Sequence, residues 1–276
     1  MIRKSIYTIF ISLALYASFV YLVAIGTLGS YEGPGKISTS EIPEEITLKR
    51  TKEQVEAISN LGITNEKLIL FGDLHVHTTY SSDAFLMSLP LLAGEGTHPP
   101  ADACDFARFC SSLDFWSNTD HAEDLTPQDW QEIKDTVRQC NNVSGKGLQD
   151  TIAFLGWEWT QEGGFDEPHF GHKNIILKDL DDDKIPARPI ASPQVSFANM
   201  PFDARVGLSA LRAFDGRIQD LMTYARDGVV RPCESDLSVR ELSFDCKEYA
   251  RDPGELFDKL NDSSKVVCSF AILNRF

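Results

Sequence analysis

Basic side chains are scarce. Lys and Arg total 26 against 41 Asp and Glu, the formal net charge is -15 and the pI is about 4.8. No basic run occurs after Lys52. Tracking a phosphate backbone needs Lys and Arg clustered on one face, so the composition argues against a nucleic-acid partner. The sequence also lacks any Cys-x-x-Cys pair among its six cysteines, which removes the usual ligands of a thiolate zinc site. Histidine is sparse, at six residues, and none follows His172. Acids cluster at Asp181-Asp182-Asp183, but three adjacent acids read as a solvated turn before they read as a cation site.

Long apolar runs are confined to the N-terminus. Ile6 to Leu28 is 23 residues without a charge, behind Arg3 and Lys4. That length spans a bilayer, and the basic flank places the N-terminus in the cytoplasm and the rest of the chain outside, facing the periplasm or the cell exterior. Ala24-Ile25-Gly26 is a small-x-small cleavage site, so residues 1–30 read as an anchor or a signal segment, with the length favouring an uncleaved anchor. Residues 31–66 read as a linker with a short helix. The stretch from 30 to 50, rich in Gly, Pro, Ser, Thr and Glu, is expected to be a tether. The helix follows from Thr51, with Val55, Ile58 and Leu61 at helical spacing and Gly62 ending it.

A domain of residues 67–276 remains, and 42% apolar content in the chain allows it a sizeable core. Leu68 to Phe71 is a continuous apolar run, as expected of a strand buried on both faces, and it leads into Gly72-Asp73-Leu74-His75-Val76-His77. Alternation puts Asp73, His75 and His77 on one side. Strand residues two apart lie about 6.5–7 Å apart at Cα, close enough for two imidazoles to share an ion. Ser81-Ser82-Asp83 and then Gly94, Gly96, Pro99 and Pro100 mark a loop. Ala103, Phe106, Phe109 and Leu113 give a helical stripe, and Asp114 to Asn118 a second strand running into Thr119-Asp120-His121-Ala122-Glu123. The next helix carries the strongest start signal: Thr126 as cap, Pro127 at its first position, Asp129 completing a capping box, and a stripe of Trp130, Ile133 and Val137. Ile152 to Thr160 is a third strand with Glu158 near its C-terminal end.

Strand, helix, strand, helix, strand makes parallel sheets, whose natural closed form is a barrel, and chemistry gathers at the C-terminal strand ends. His75 and His77, His121, and Glu158 each sit at such an end. After a Gly163-Gly164 turn, His172 to Leu177 returns as a strand, and a hairpin centred near 165 sets His172 opposite Glu158. His169 competes for that role, and His98 reads as a surface residue. Leu180 to Pro201 is irregular, Leu208 to Tyr224 and Pro253 to Leu260 are helical, and Val266 to Leu273 is a strand. About four core strands leave the barrel unclosed.

Export permits disulfides. On one helix Cys104 and Cys110 stand six steps of about 1.5 Å apart, roughly 9 Å, which is too far to pair. Cys233 with Cys246 is the easier pair, and free thiols remain the alternative.

Asp73-Leu74-His75-Val76-His77-Thr78, Thr119-Asp120-His121 and Gly156-Trp157-Glu158 resemble, in order and placement, the first three motifs of the polymerase and histidinol phosphatase (PHP) superfamily. Phe115-Trp116-Ser117-Asn118, Trp159-Thr160 and His172-Lys173-Asn174 extend the likeness to an uncharacterised exported branch, over Leu68 to Asn261. The resemblance implies an incomplete, distorted (β/α) barrel with a cluster of two or three divalent metals, zinc, manganese or iron, at its C-terminal mouth. It implies phosphoester hydrolysis by a metal-bound hydroxide on a small-molecule substrate. His75, His77, Asp83, His121 and Glu158 match metal ligands, Glu158 as a bridge, with His172 or Lys173 touching substrate and Asp120 orienting an imidazole. The superfamily's later His and Asp-x-His motifs have no counterpart. The chain therefore reads as truncated near Val266 or ending in unrelated residues, and a non-catalytic remnant that binds metal weakly is the alternative.

Overall fold

The computed structural model describes residues 2–62, 69–87, 97–143, 150–163, 169–193, 200–234, 237–239, 241–263 and 272–274. Its centre is a five-stranded sheet in the order β1-β2-β3-β4-β7, formed by Gly72–Val76, Phe115–Asn118, Ile152–Gln161, Gly171–Leu177 and Ile272–Asn274. The first three strands are parallel and the next two pairings antiparallel. Together they curl into a half-barrel in a mixed α/β fold.

Helix α4 (Pro100–Asp105) and a π-helix (Phe106–Cys110) carry the chain from β1 to β2, and α5 (Pro127–Asn142) carries it from β2 to β3. The α5 capping box forms as its sequence requires: Asp129 N donates to Thr126 Oγ1, and Thr126 N donates to Asp129 Oδ2. Its stripe packs on β3, with Trp130 edge-on to Trp157 at 5.6 Å. Alternation along β3 then divides the work. Leu155, Trp157 and Trp159 are fully buried on the helix side, their indoles donating to Ile190 O and Ala250 O. Gly156, Glu158 and Thr160 face the concave side. A Cβ on Gly156 would stand 2.5 Å from Ile175 O, so only glycine lets β3 and β4 approach there. A two-stranded parallel ribbon, β5 (Ile190–Ala191) with β6 (Glu248–Tyr249), and α8 (Pro253–Ser263) complete this layer.

Several expectations are corrected. Leu68 lies outside the described residues, and Leu70 and Phe71 are exposed. β1 begins only at Gly72 because it is an edge strand paired on one side. Helix α2 starts at Glu44 and ends at Asn60, and Val55 and Leu61 are exposed. Polar contacts hold it instead, Arg50 to Asp150 O and Gln54 to Asp114. The expected helix from Ala103 to Leu113 is α4 followed by the π-turn. The span from Leu208 to Tyr224 is two helices, α6 (Phe202–Arg212) and α7 (Gly216–Asp227), because Asp215 caps the second by accepting from Arg217 N. Of the strand from Val266 to Leu273, residues 266–271 lie outside the described set, as do Gly94 and Gly96. A short helix, α3 (Ser82–Met87), occupies the loop after β1.

Residues 25–40 form a strap over the domain, where a free tether was expected. Ile37 is buried, Ser30 N donates to Asp220, Ala101 N to Pro34 O, and Ser38 N to Asp105. The buried Arg108 clamps the end of the strap, donating to Ser38 O, Ser40 O, Asp105 and Asp150. Cys104 is disulfide-bonded to Cys140 and Cys233 to Cys246, while Cys110 is free and exposed. The second pair is the one anticipated. The first joins α4 to α5.

Helix α1 (Ile2–Ala24) is long and apolar enough, by length and composition, to be a signal or a membrane anchor. Its last turns pack on α6 and α7 through Val20, Val23, Ile218, Leu221 and Met222.

Candidate metal centre

Each candidate group stands where a parallel strand ends or a hairpin strand crosses the concave side. His75 is on β1 and His77 just beyond it. Asp83 opens α3, His121 follows β2, and Glu158 and His172 face in from β3 and β4. These six side chains line one cavity of about 340 Å³. Three overlapping groups, His75/His77/Glu158, His77/Asp83/His121 and His121/Glu158/His172, each place ligand atoms within 4.8 Å of one another and can hold a metal ion. Ligand atoms at about 2.0–2.2 Å from a common ion lie no more than about 4 Å apart, a range these groups approach.

Glu158 is the hub. Its Oε2 lies 2.8 Å from His75 Nε2 and 2.9 Å from His77 Nε2, and its Oε1 lies 2.6 Å from His172 Nδ1. Oε1 is buried, with His172 as its ion-pair partner and no further hydrogen-bond donor among the described residues. A buried carboxylate with imidazole nitrogens against both of its oxygens fits a cation, and the nitrogen and oxygen donors suit zinc, manganese or iron.

The electrostatics are those of a tight ion cluster. Burial opposes charge on His77, but hydrogen bonds with Asp83 and Glu158 push its pKa up to about 10. Burial likewise opposes charge on His121, and Asp83, with the charges of Glu123 and Glu158, pushes it up to about 9. Burial would raise both carboxylates. Instead, His121 and His77 hold half-exposed Asp83, and His75 and His77 hold Glu158, well below the usual range.

The hairpin register differs from the one expected. Glu158 pairs with Asn174, and His172 stands opposite Thr160 because the turn is centred one residue later. His172 still reaches Glu158 diagonally. His169 lies outside the cavity against Glu162 O, and exposed His98 pairs with Asp102. Lys173 points to the other face of β4, its ammonium donating to Phe170 O and standing 5.6 Å from the Trp159 ring centroid, so it does not reach the cavity. Exposed Asp73 accepts from His75 N and holds the strand's backbone. Asp120 orients no imidazole. It is fully buried and accepts from Thr78 N, Thr78 Oγ1 and Asn118 Nδ2, fixing the turn after His77. Burial raises its pKa.

Two hydroxyls went unread in the sequence. Ser81 Oγ stands 2.9 Å from His77 Nδ1, donates to Asp83 Oδ1 and accepts from His121 N. Thr160 Oγ1 lies 2.7 Å from His121 Nδ1 and 3.1 Å from His172 Nδ1. Glu123 accepts from Thr160 N and Ser192 N, supporting the same rim. Only Thr160, two after Glu158 on the same strand face, carried a readable signal.

No family model, curated protein or solved structure matches the chain.

Proposed function

We propose that the chain is an exported or membrane-tethered, metal-dependent hydrolase of PHP type acting on phosphoesters. The observation that carries this reading is the convergence of His75, His77, Asp83, His121, Glu158 and His172 on one small polar cavity, around the buried Glu158 carboxylate. His75, His77, Asp83, His121 and Glu158 would hold divalent ions, Glu158 offering one oxygen to each of two neighbouring groups. Such ions lower the pKa of a bound water and neutralise charge on phosphoryl oxygens. His172, whose side chain is about one-third exposed at 32%, would meet a bound substrate and assist its leaving group.

The test is metal content and p-nitrophenyl phosphate turnover of the full chain beside H75A and E158A. Both substitutions are expected to lower bound metal and abolish turnover. Metal content unchanged by both would end this reading.

The open sheet favours a second reading. Among the described strands β1 is an edge paired only to β2, with Leu70 and Phe71 exposed beside it. A remnant that holds metal weakly without hydrolysis fits that openness. Metal binding lost in E158A, with no turnover in the parent chain, would select it.

A further inference from the structure

Helix α6 runs antiparallel to α1 and reaches part-way along it. Phe202 meets Tyr21 at 6.1 Å between ring centroids, Tyr16 Oη donates to Ala210 O, and Phe214 lies against Phe19 at 5.1 Å and Tyr16 at 6.2 Å. The α6–α7 turn is thus level with Tyr16. At that tip Leu211 and Phe214 are 81% and 80% exposed. The adjacent charges cancel, with Arg212 paired to Asp215 at 2.5 Å.

The mount is rigid. Gly26, at φ +72°, sits so close to α7 that a Cβ would meet Met222 O at 2.3 Å, and Gly26 O accepts from Thr223 and Arg226. α1 and the hairpin are in direct contact there. A helix of 23 residues is roughly 34 Å long, against about 30 Å of hydrocarbon. Tyr16 lies eight residues before Ala24, or about 12 Å along the axis. If α1 spans, the overhang of about 4 Å at one end or the other sets the tip about 8–12 Å inside the outer hydrocarbon boundary. That is at or just beyond the about 5–10 Å depth of interfacial helices.

We propose that Leu211 and Phe214 insert into the outer leaflet beside α1, so that the domain is held by two membrane contacts in a fixed orientation. This rests on α1 being an uncleaved anchor. The occupant is lipid, because the exposed apolar tip is continuous with a membrane-length helix whose first turns are exposed on all sides.

The test uses the full chain with L211W or F214W in phosphatidylcholine vesicles, plain or brominated along the acyl chains. V229W, at an exposed site past the far end of α7, serves as control. The four native tryptophans are buried, at 1% exposure or less. The expected result is a blue shift and loss of most of the added emission in brominated vesicles for L211W and F214W, with V229W unchanged. Vesicle-bound chain with unquenched L211W and F214W overturns the insertion while leaving the anchor intact. A blue shift without quenching places protein there and also overturns it. Chain that does not partition to vesicles overturns anchor and insertion together.

Discussion

Glu158 shows how one residue couples the cluster's charge to its fold. In the metal-free chain the folded state raises His77 to about 10 and His121 to about 9 from 6.5. Their contribution to stability is therefore complete below pH 6.5 and is lost as pH rises through 9 to 10. Asp83 and Glu158 are shifted down from 3.8 and 4.5, so their contribution is present above those values and is lost as pH falls. The four groups form one network, and their shifts describe one stabilisation seen from both partners. Chelator-treated protein should thus be most stable between about pH 4.5 and 6.5, with a declining alkaline limb in urea midpoints. A metal requires neutral imidazoles, so saturating metal should remove that limb and the gap between loaded and metal-free protein should widen with pH. An alkaline limb of equal depth in H77A and H121A would show that other groups cause it.

Arg108 makes the corresponding argument for elements. Its guanidinium is 2% exposed and ties the strap, α4 and Asp150 into one body. R108M removes a buried guanidinium from Asp150, Asp105 and two strap carbonyls, and is expected to cost about 3 kcal/mol. An unfolding free energy from chemical denaturation lowered by less than a quarter of that would place the strap's hold elsewhere. The sequence could not show this clamp, since Ser38 and Arg108 are 70 positions apart and the strap's composition is that of any solvated linker. Helix α5 was readable because Thr126, Pro127 and Asp129 act within one turn. His75, His121 and Glu158 were readable because a parallel strand delivers its C-terminal residue to a shared edge whatever its neighbours do. The hairpin register was less so: the loop length left the centre uncertain by one residue, which moved His172 from Glu158 to Thr160. The break between α6 and α7 lay in Asp215, a cap residue inside an apolar pattern.

At the scale of the whole molecule, a net charge of -15 favours cations over anions, while the described strands form a half-barrel with β1 and β7 at its edges. Covalent closure adds to this frame. Cys104–Cys140 spans 36 residues and links the two crossover helices outside the parallel strands, enclosing β2 and the His121 turn in its loop. Cys233–Cys246 closes only 13. Loop-closure entropy predicts about 4 kcal/mol for the first and about 3 kcal/mol for the second. C104A/C140A should therefore lower the denaturation midpoint more than C233A/C246A. It should also weaken metal retention, because the His121 turn loses its covalent frame, whereas the shorter loop lies away from the cavity. Equal losses from both pairs, with metal content intact in each, would show that the half-barrel holds its mouth through packing alone.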